Sequence, residues 1–131
     1  MERAARTYRL GDLQLEIMKL LWKGVASRVA DIRKELGGAR YAYTTVATML
    51  RKMEQRGLVR HREENRIFYY EAAVSEEEVT RSTTADLVER VFEGSLADAV
   101  SHLLDAREVS PEELDRLEGL IRERRKRHTS E

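Results

Sequence analysis

The stretch that decides the fold is residues 42–70, AYTTVATMLRKMEQRGLVRHREENRIFYY. Val46, Met49, Leu50 and Met53 recur there at helical spacing and predict a helix over residues 44–56. Thr45, Thr48 and Lys52 stand at i, i+3 and i+7, so they share its opposite face. Gly57 is placed to cap that helix in the left-handed conformation, with Leu58 and Val59 packing back. Two short runs rich in β-branched and aromatic residues follow, 59–62 and 67–70, with Glu63, Glu64, Asn65 and Arg66 as a tight turn between them. This is a β-hairpin. At least two of Phe68, Tyr69 and Tyr70 are expected in the core, because a short hairpin needs packing against helices to hold.

Upstream, Leu13, Ile17, Leu20 and Leu21 form the stripe of a first helix over residues 10–22, ended by Gly24. Trp22, at its end, is read as a packing residue. Ser27 can cap a second helix that runs to Leu36 and buries Val29 and Ile32, and Gly37 and Gly38 stop it. Three helices followed by a hairpin is the order of a winged helix-turn-helix, with the third helix as the element that enters the major groove. The segment 37–43 is longer than the tightest version of that turn.

The rest of the chain reads as helical. Ser75 and Glu78 make a capping box, and that helix carries Val79, Leu87, Val88, Val91 and Phe92 before stopping at Gly94. Ser95 and Asp98 open another, with Leu96, Val100, Leu103 and Leu104 inward. Ser110, Pro111 and Glu113 open the last, striped by Leu114, Leu117, Leu120 and Ile121. The expected fold class is therefore mainly α with a small β-hairpin wing. Residues 1–74 form a winged-helix domain and 75–131 a helical one.

The 131 residues carry 24 Lys/Arg and 24 Asp/Glu, but the balance is uneven along the chain. Residues 1–75 hold 15 basic and 9 acidic side chains, a net +6, and residues 76–131 hold the reverse, a net −6. A basic first half suggests a polyanionic partner. Cysteine is absent, which removes disulfides, thiolate metal sites and cysteine nucleophiles and fits a reducing cytoplasm. No apolar run reaches the ~18 residues a membrane span needs, and no apolar signal region follows the first arginines. His61, His102 and His128 are scattered in a strand, a helix and the tail, without the spacing of a metal site or a triad, and there is no glycine-rich phosphate loop. No enzyme, cofactor or metal is expected.

The outer face of the third helix points to duplex DNA. A threonine offers a hydroxyl to base edges and a methyl to thymine, and short side chains let a helix approach the groove floor. A merely solvated helix explains Thr44, Thr45 and Thr48 poorly, because threonine is a mediocre helix former. Thr45 and Thr48 are expected to read bases. Arg51, Lys52 and Arg56 extend the basic surface, and Arg60, Arg62 and Arg66 surround the hairpin tip, where they can neutralise phosphates. The three C-terminal helices have narrow stripes and high charge and cannot enclose much apolar surface alone. Pairing of Leu87, Val91, Phe92, Val100, Leu103, Leu104, Leu117 and Ile121 with a second copy solves this, and a two-fold homodimer presents two recognition helices to a palindrome. The basic end, 122–127, complements the helix dipole. A ligand-sensing winged-helix regulator of the MarR kind is the nearest alternative. Phe92 is the sole aromatic of the C-terminal half, which argues against a pocket there.

The runs YRLGDLQLEIMKLLW, VADIRKEL, AYTTVATMLRKMEQRGLVRH and RIFYYEAAVSEEEV resemble the BlaI/MecI family of penicillinase repressors, over residues 8–124. The resemblance implies a homodimeric winged-helix repressor on palindromes with TACA and TGTA half-sites. It adds Thr44 to Thr45, Thr48 and Lys52 as the base-reading positions. It also implies derepression by proteolysis, through a membrane-bound metallopeptidase sensor, at the bond between His102 and Leu103 in ADAVSHLLD. The best-known members carry Asn-Phe at that bond, and this chain departs from them. Copper-responsive relatives have a C-terminal cysteine cluster, which this chain lacks.

Overall fold

The computed structural model describes residues 8–130, and the chain divides into two compact units, Met1–Asp86 and Leu87–Glu131. The first unit begins with α1 (Asp12–Lys23), α2 (Val29–Glu35), a single 3-10 turn (Gly38–Arg40) and α3 (Tyr43–Gln55). The strands β1 (Val59–Glu64) and β2 (Ile67–Ala72) follow, and then the first part of α4 (Glu76–Val91). The second unit holds the end of α4, then α5 (Leu96–Asp105) and α6 (Pro111–Ser130).

The apolar stripes meet as their spacing requires. Ile17 and Met18 of α1, Ile32 of α2 and Val46, Leu50 and Met53 of α3 are fully buried together with Leu58 and Val59. Burying each of the larger of these side chains stabilises the fold by about 1.5–3 kcal/mol before entropy is counted. Trp22 packs against this core while its indole Nε1 donates to the Val74 carbonyl at 2.9 Å, fixing the chain that leaves the hairpin. Gly57 ends α3 with φ +78, and the Leu58 amide reaches back to the Met53 carbonyl at 2.9 Å, which directs Leu58 and Val59 into the core.

The strands pair antiparallel in a register that sets Glu64 opposite Ile67 and Val59 opposite Ala72. They are longer than the sequence pattern suggests, and the turn is shorter. Asn65 and Arg66 alone form it, with φ +51 and +66, the twist that suits a two-residue hairpin. The Tyr70 amide donates to the Ser27 carbonyl at 2.8 Å, so the loop before α2 adds one bond to the hairpin's edge. That use of Ser27 accounts for a difference from the sequence reading: the N-cap of α2 is Arg28, and no side chain caps it. Of the three aromatics of β2, Tyr70 alone is fully buried, Tyr69 is half-buried and Phe68 is 42% exposed. The expectation of two in the core fails because successive side chains alternate across the hairpin and Phe68 lies near its tip.

The three downstream start signals all act as caps. Ser75 Oγ accepts from the Glu78 amide, Ser95 Oγ from Asp98 and Ser110 Oγ from Glu113. In the second unit Ala99 is the one fully buried apolar residue among those described. Among the described residues no helix is long and apolar enough to cross a membrane.

Candidate nucleic-acid interface

The connection between α2 and α3 holds α3 with its threonine face outward. Arg33 Nε donates to the Tyr41 carbonyl at 2.7 Å, and Arg40 Nη1 pairs with Glu16 of α1 at 3.0 Å while its guanidinium lies over the Tyr41 ring. With its inner stripe buried, α3 exposes Thr44, Thr45, Thr48, Arg51, Lys52 and Gln55. These positions recur at i, i+3 and i+4, so they form one continuous surface. It carries short hydroxyl side chains in its first two turns and cations beyond. Gln55, an amide donor and acceptor, belongs to this surface and had no distinguishing signal in the sequence.

The arginines separate by what they already bind. Arg56 turns inward along α1, donating to Gln14 Oε1 at 3.1 Å and to the Arg9 carbonyl at 2.9 Å, which makes it a brace. On the outer side of the hairpin Arg60 pairs with Glu71 at 2.7 Å and Arg62 with Glu64 at 2.7 Å. Arg62 also stacks over the Tyr69 ring, 4.6 Å from its centroid. The Arg60 guanidinium holds the Glu71 carboxyl below the usual carboxylate range. Among the described residues, Arg51, Lys52 and Arg66 have no carboxylate within ion-pair distance. The turn places Arg66 at the hairpin tip with all its donors available.

On the inner side, His61 Nδ1 meets both Glu54 carboxylate oxygens, at 2.7 and 2.8 Å, and its ring stacks on Phe68 at 4.1 Å. This joins β1 to the last turn of α3. Burial raises the pKa of the Tyr70 phenol beside them. A groove of about 590 Å³ opens between the start of α2, the flank of α3 and β2, and it is lined by Arg28, Tyr43, Arg51, Arg66, Phe68 and Tyr70 among others. Arg28 and Tyr43 were not singled out from the sequence, and Phe68 was read only as one of three candidates for the core. Arg28 carries one legible signal, an aspartate three residues on, and the two form a pair. No group of His, Asp and Glu able to hold a metal occurs among the described residues.

In the second unit, Leu87, Val91, Leu103, Leu104 and Ile121 are exposed, and Phe92, Val100 and Leu117 are half-buried. The His102–Leu103 bond lies within α5, and the His102 ring meets Phe92 edge-on at 5.4 Å.

The family model described as penicillinase repressor matches residues 10–123. The penicillinase repressor of Bacillus licheniformis is 27% identical over 120 residues, which span 91% of this chain and 94% of that protein. The transcriptional regulator BlaI of Mycobacterium tuberculosis is 29% identical over 122 residues, 91% of this chain and 87% of that one. The solution structure of the Bacillus licheniformis BlaI monomeric form in complex with the blaP half-operator is 28% identical, covering 56% of this chain and 90% of that one, with a TM-score of 0.47.

Proposed function

The chain belongs to the penicillinase repressor family, and from that premise we propose that it is a DNA-binding transcriptional repressor whose helix α3 reads the base edges of a palindromic operator. One observation carries the reading. The exposed face of α3 combines Thr44, Thr45 and Thr48 with Lys52 and Arg51, and among the described residues no carboxylate pairs with either cation. Short hydroxyl side chains suit base contact, and free cations suit the phosphates that flank it. Arg66 grips the backbone at the hairpin tip. Arg60 and Arg62 reach phosphates at the cost of their own acidic partners, so they contribute less. Arg56 acts on the fold.

The acting species is a homodimer. The second unit buries Ala99 alone among its described apolar residues, and it exposes leucine, valine and isoleucine along α4, α5 and α6. Its hollow of about 530 Å³, lined by Val100, Leu103, Leu104 and Leu117 with their neighbours, contains no aromatic side chain. That favours filling by a second copy over a small ligand. A metallopeptidase sensor reaches the His102–Leu103 bond only when α5 opens, so derepression by cleavage would be coupled to loosening of these helices.

Transcription in vitro from a promoter carrying a TACA…TGTA palindrome tests the assignment. The protein should silence that promoter and leave a scrambled-operator template active. Equal transcription from both templates at saturating protein would refute it.

A further inference from the structure

The groove between α3 and the hairpin has a chemistry that the base-reading face does not explain. Its floor is apolar, built on Val29, Ala47 and Tyr70, and its walls present Tyr43, 52% exposed, and Phe68, 42% exposed. Its rim carries three guanidinium groups, Arg28, Arg51 and Arg66. Arg28 is held in place, because Nε and Nη2 donate to the two oxygens of Asp31 at 2.7 and 3.2 Å. A guanidinium has five N–H donors, so its Nη1 side remains available to a second acceptor. The same pairing holds the Asp31 carboxyl below its ordinary pKa, which keeps it charged and Arg28 fixed. Exposed aromatic rings inside a cationic rim match a ligand that alternates apolar and anionic parts.

The position of the groove selects that ligand. A recognition helix in the major groove and a hairpin tip at the neighbouring minor groove have one sugar–phosphate strand between them. We propose that this strand lies in the groove, with Arg28, Arg51 and Arg66 on successive phosphates and with Tyr43 and Phe68 against the deoxyriboses. The assignment rests on the DNA-binding reading and deepens it. It adds α2, through Arg28, to the phosphate grip, and it turns the contact between His61 and Phe68 into a support for the strand.

The test is a panel of TACA…TGTA duplexes in which one phosphate at a time is replaced by an uncharged methylphosphonate, titrated with the wild-type protein, with Arg28→Gln and Arg66→Gln, and with Thr48→Ala. Both arginines are exposed, and thermal unfolding of each variant checks that the fold is kept. The three adjacent phosphates that face Arg28, Arg51 and Arg66 in each half-site should matter, each weakening the wild type by about tenfold when neutralised, as expected for loss of a charge-assisted bond. In the matching arginine variant that penalty should shrink to about twofold or less, while Thr48→Ala keeps it in full. If the wild type prefers the palindrome but no phosphate couples to Arg28 or Arg66, the strand assignment is wrong and the repressor reading stands. If benzoate displaces DNA through these two arginines while phosphate neutralisation costs nothing, the groove is a small-anion pocket and the assignment is overturned. If the wild type shows no preference for the palindrome over a scrambled duplex, both readings fall.

Discussion

His61 Nδ1 lies 2.7 Å from Glu54 Oε1, so the first strand of the hairpin is fastened to the last turn of the helix proposed to read DNA. The ring is held from the other side by Phe68. The angle between hairpin and helix is thus set by a hydrogen-bonded pair and a stack, each about two-thirds removed from solvent on the Glu54–His61 side. His61→Ala removes both and should cost about 1 kcal/mol of stability, adding a partly exposed pair to an aromatic contact. In a unit of this size that lowers the thermal midpoint by roughly 4–8 °C. Glu54→Gln, which keeps the stack, should lose less. Calorimetry of the two variants ranks them, and equal losses would mean that the stack contributes nothing.

Thr48 sits at the centre of the exposed face of α3, between Thr44 and Thr45 on one turn and Arg51 and Lys52 on the next. Thr48→Ala should weaken operator binding by about 1–3 kcal/mol and leave binding to scrambled DNA nearly unchanged, because base contacts discriminate and phosphate contacts do not. Parallel titrations on the two duplexes check this. Equal losses on both would remove Thr48 from base reading.

Arg66 and Arg60 should differ, although the sequence ranks them alike. Arg66 stands on the two-residue turn with no carboxylate paired to it among the described residues, and Arg60 is bonded to Glu71. Arg66→Ala should weaken operator and scrambled DNA about equally and reduce the salt slope by about 1. Arg60→Ala should do markedly less, since Glu71 already occupies its guanidinium. Salt-dependent titrations separate the two, and identical slopes would show that the hairpin ion pairs break on DNA.

The elements most legible in the sequence were those written as period and punctuation. The stripe of Val46, Leu50 and Met53 and the glycine at 57 fixed α3 to within a residue, and Ser75, Ser95 and Ser110 marked three helix starts that all prove to be side-chain caps. What the sequence concealed depends on long-range pairing. Ser27 looked like a cap because its hydroxyl precedes a helix, yet its carbonyl is engaged by Tyr70, 43 residues away in the chain. The arginines were alike as letters, and only the fold shows that Arg56 reaches Gln14 while Arg66 meets no carboxylate among the described residues. The groove that brings Arg28 beside Phe68 follows from the packing of α2 against the hairpin, which no local spacing encodes.

The second unit supplies a test independent of DNA. Leu103 is 59% exposed on α5, beside the hollow lined by Val100 and Leu117. Leu103→Glu should shift sedimentation from dimer toward monomer, because a charge would have to be buried at the contact. The same variant should lower affinity for the full palindrome much more than for a single half-site, since only the palindrome gains from two linked sites. A variant that remains dimeric at the wild-type concentration dependence would place the contact elsewhere.

If α3 selects a palindrome by reading its bases as part of a dimer, the protein must discriminate between duplexes of equal charge. The affinity for a TACA…TGTA duplex against a scrambled duplex at physiological salt, with the mass of each complex read in parallel, measures that discrimination. The expected result is a preference of at least about 10³-fold, as for other specific DNA binders, with one dimer on each palindrome. Equal and weak binding to both duplexes would contradict it.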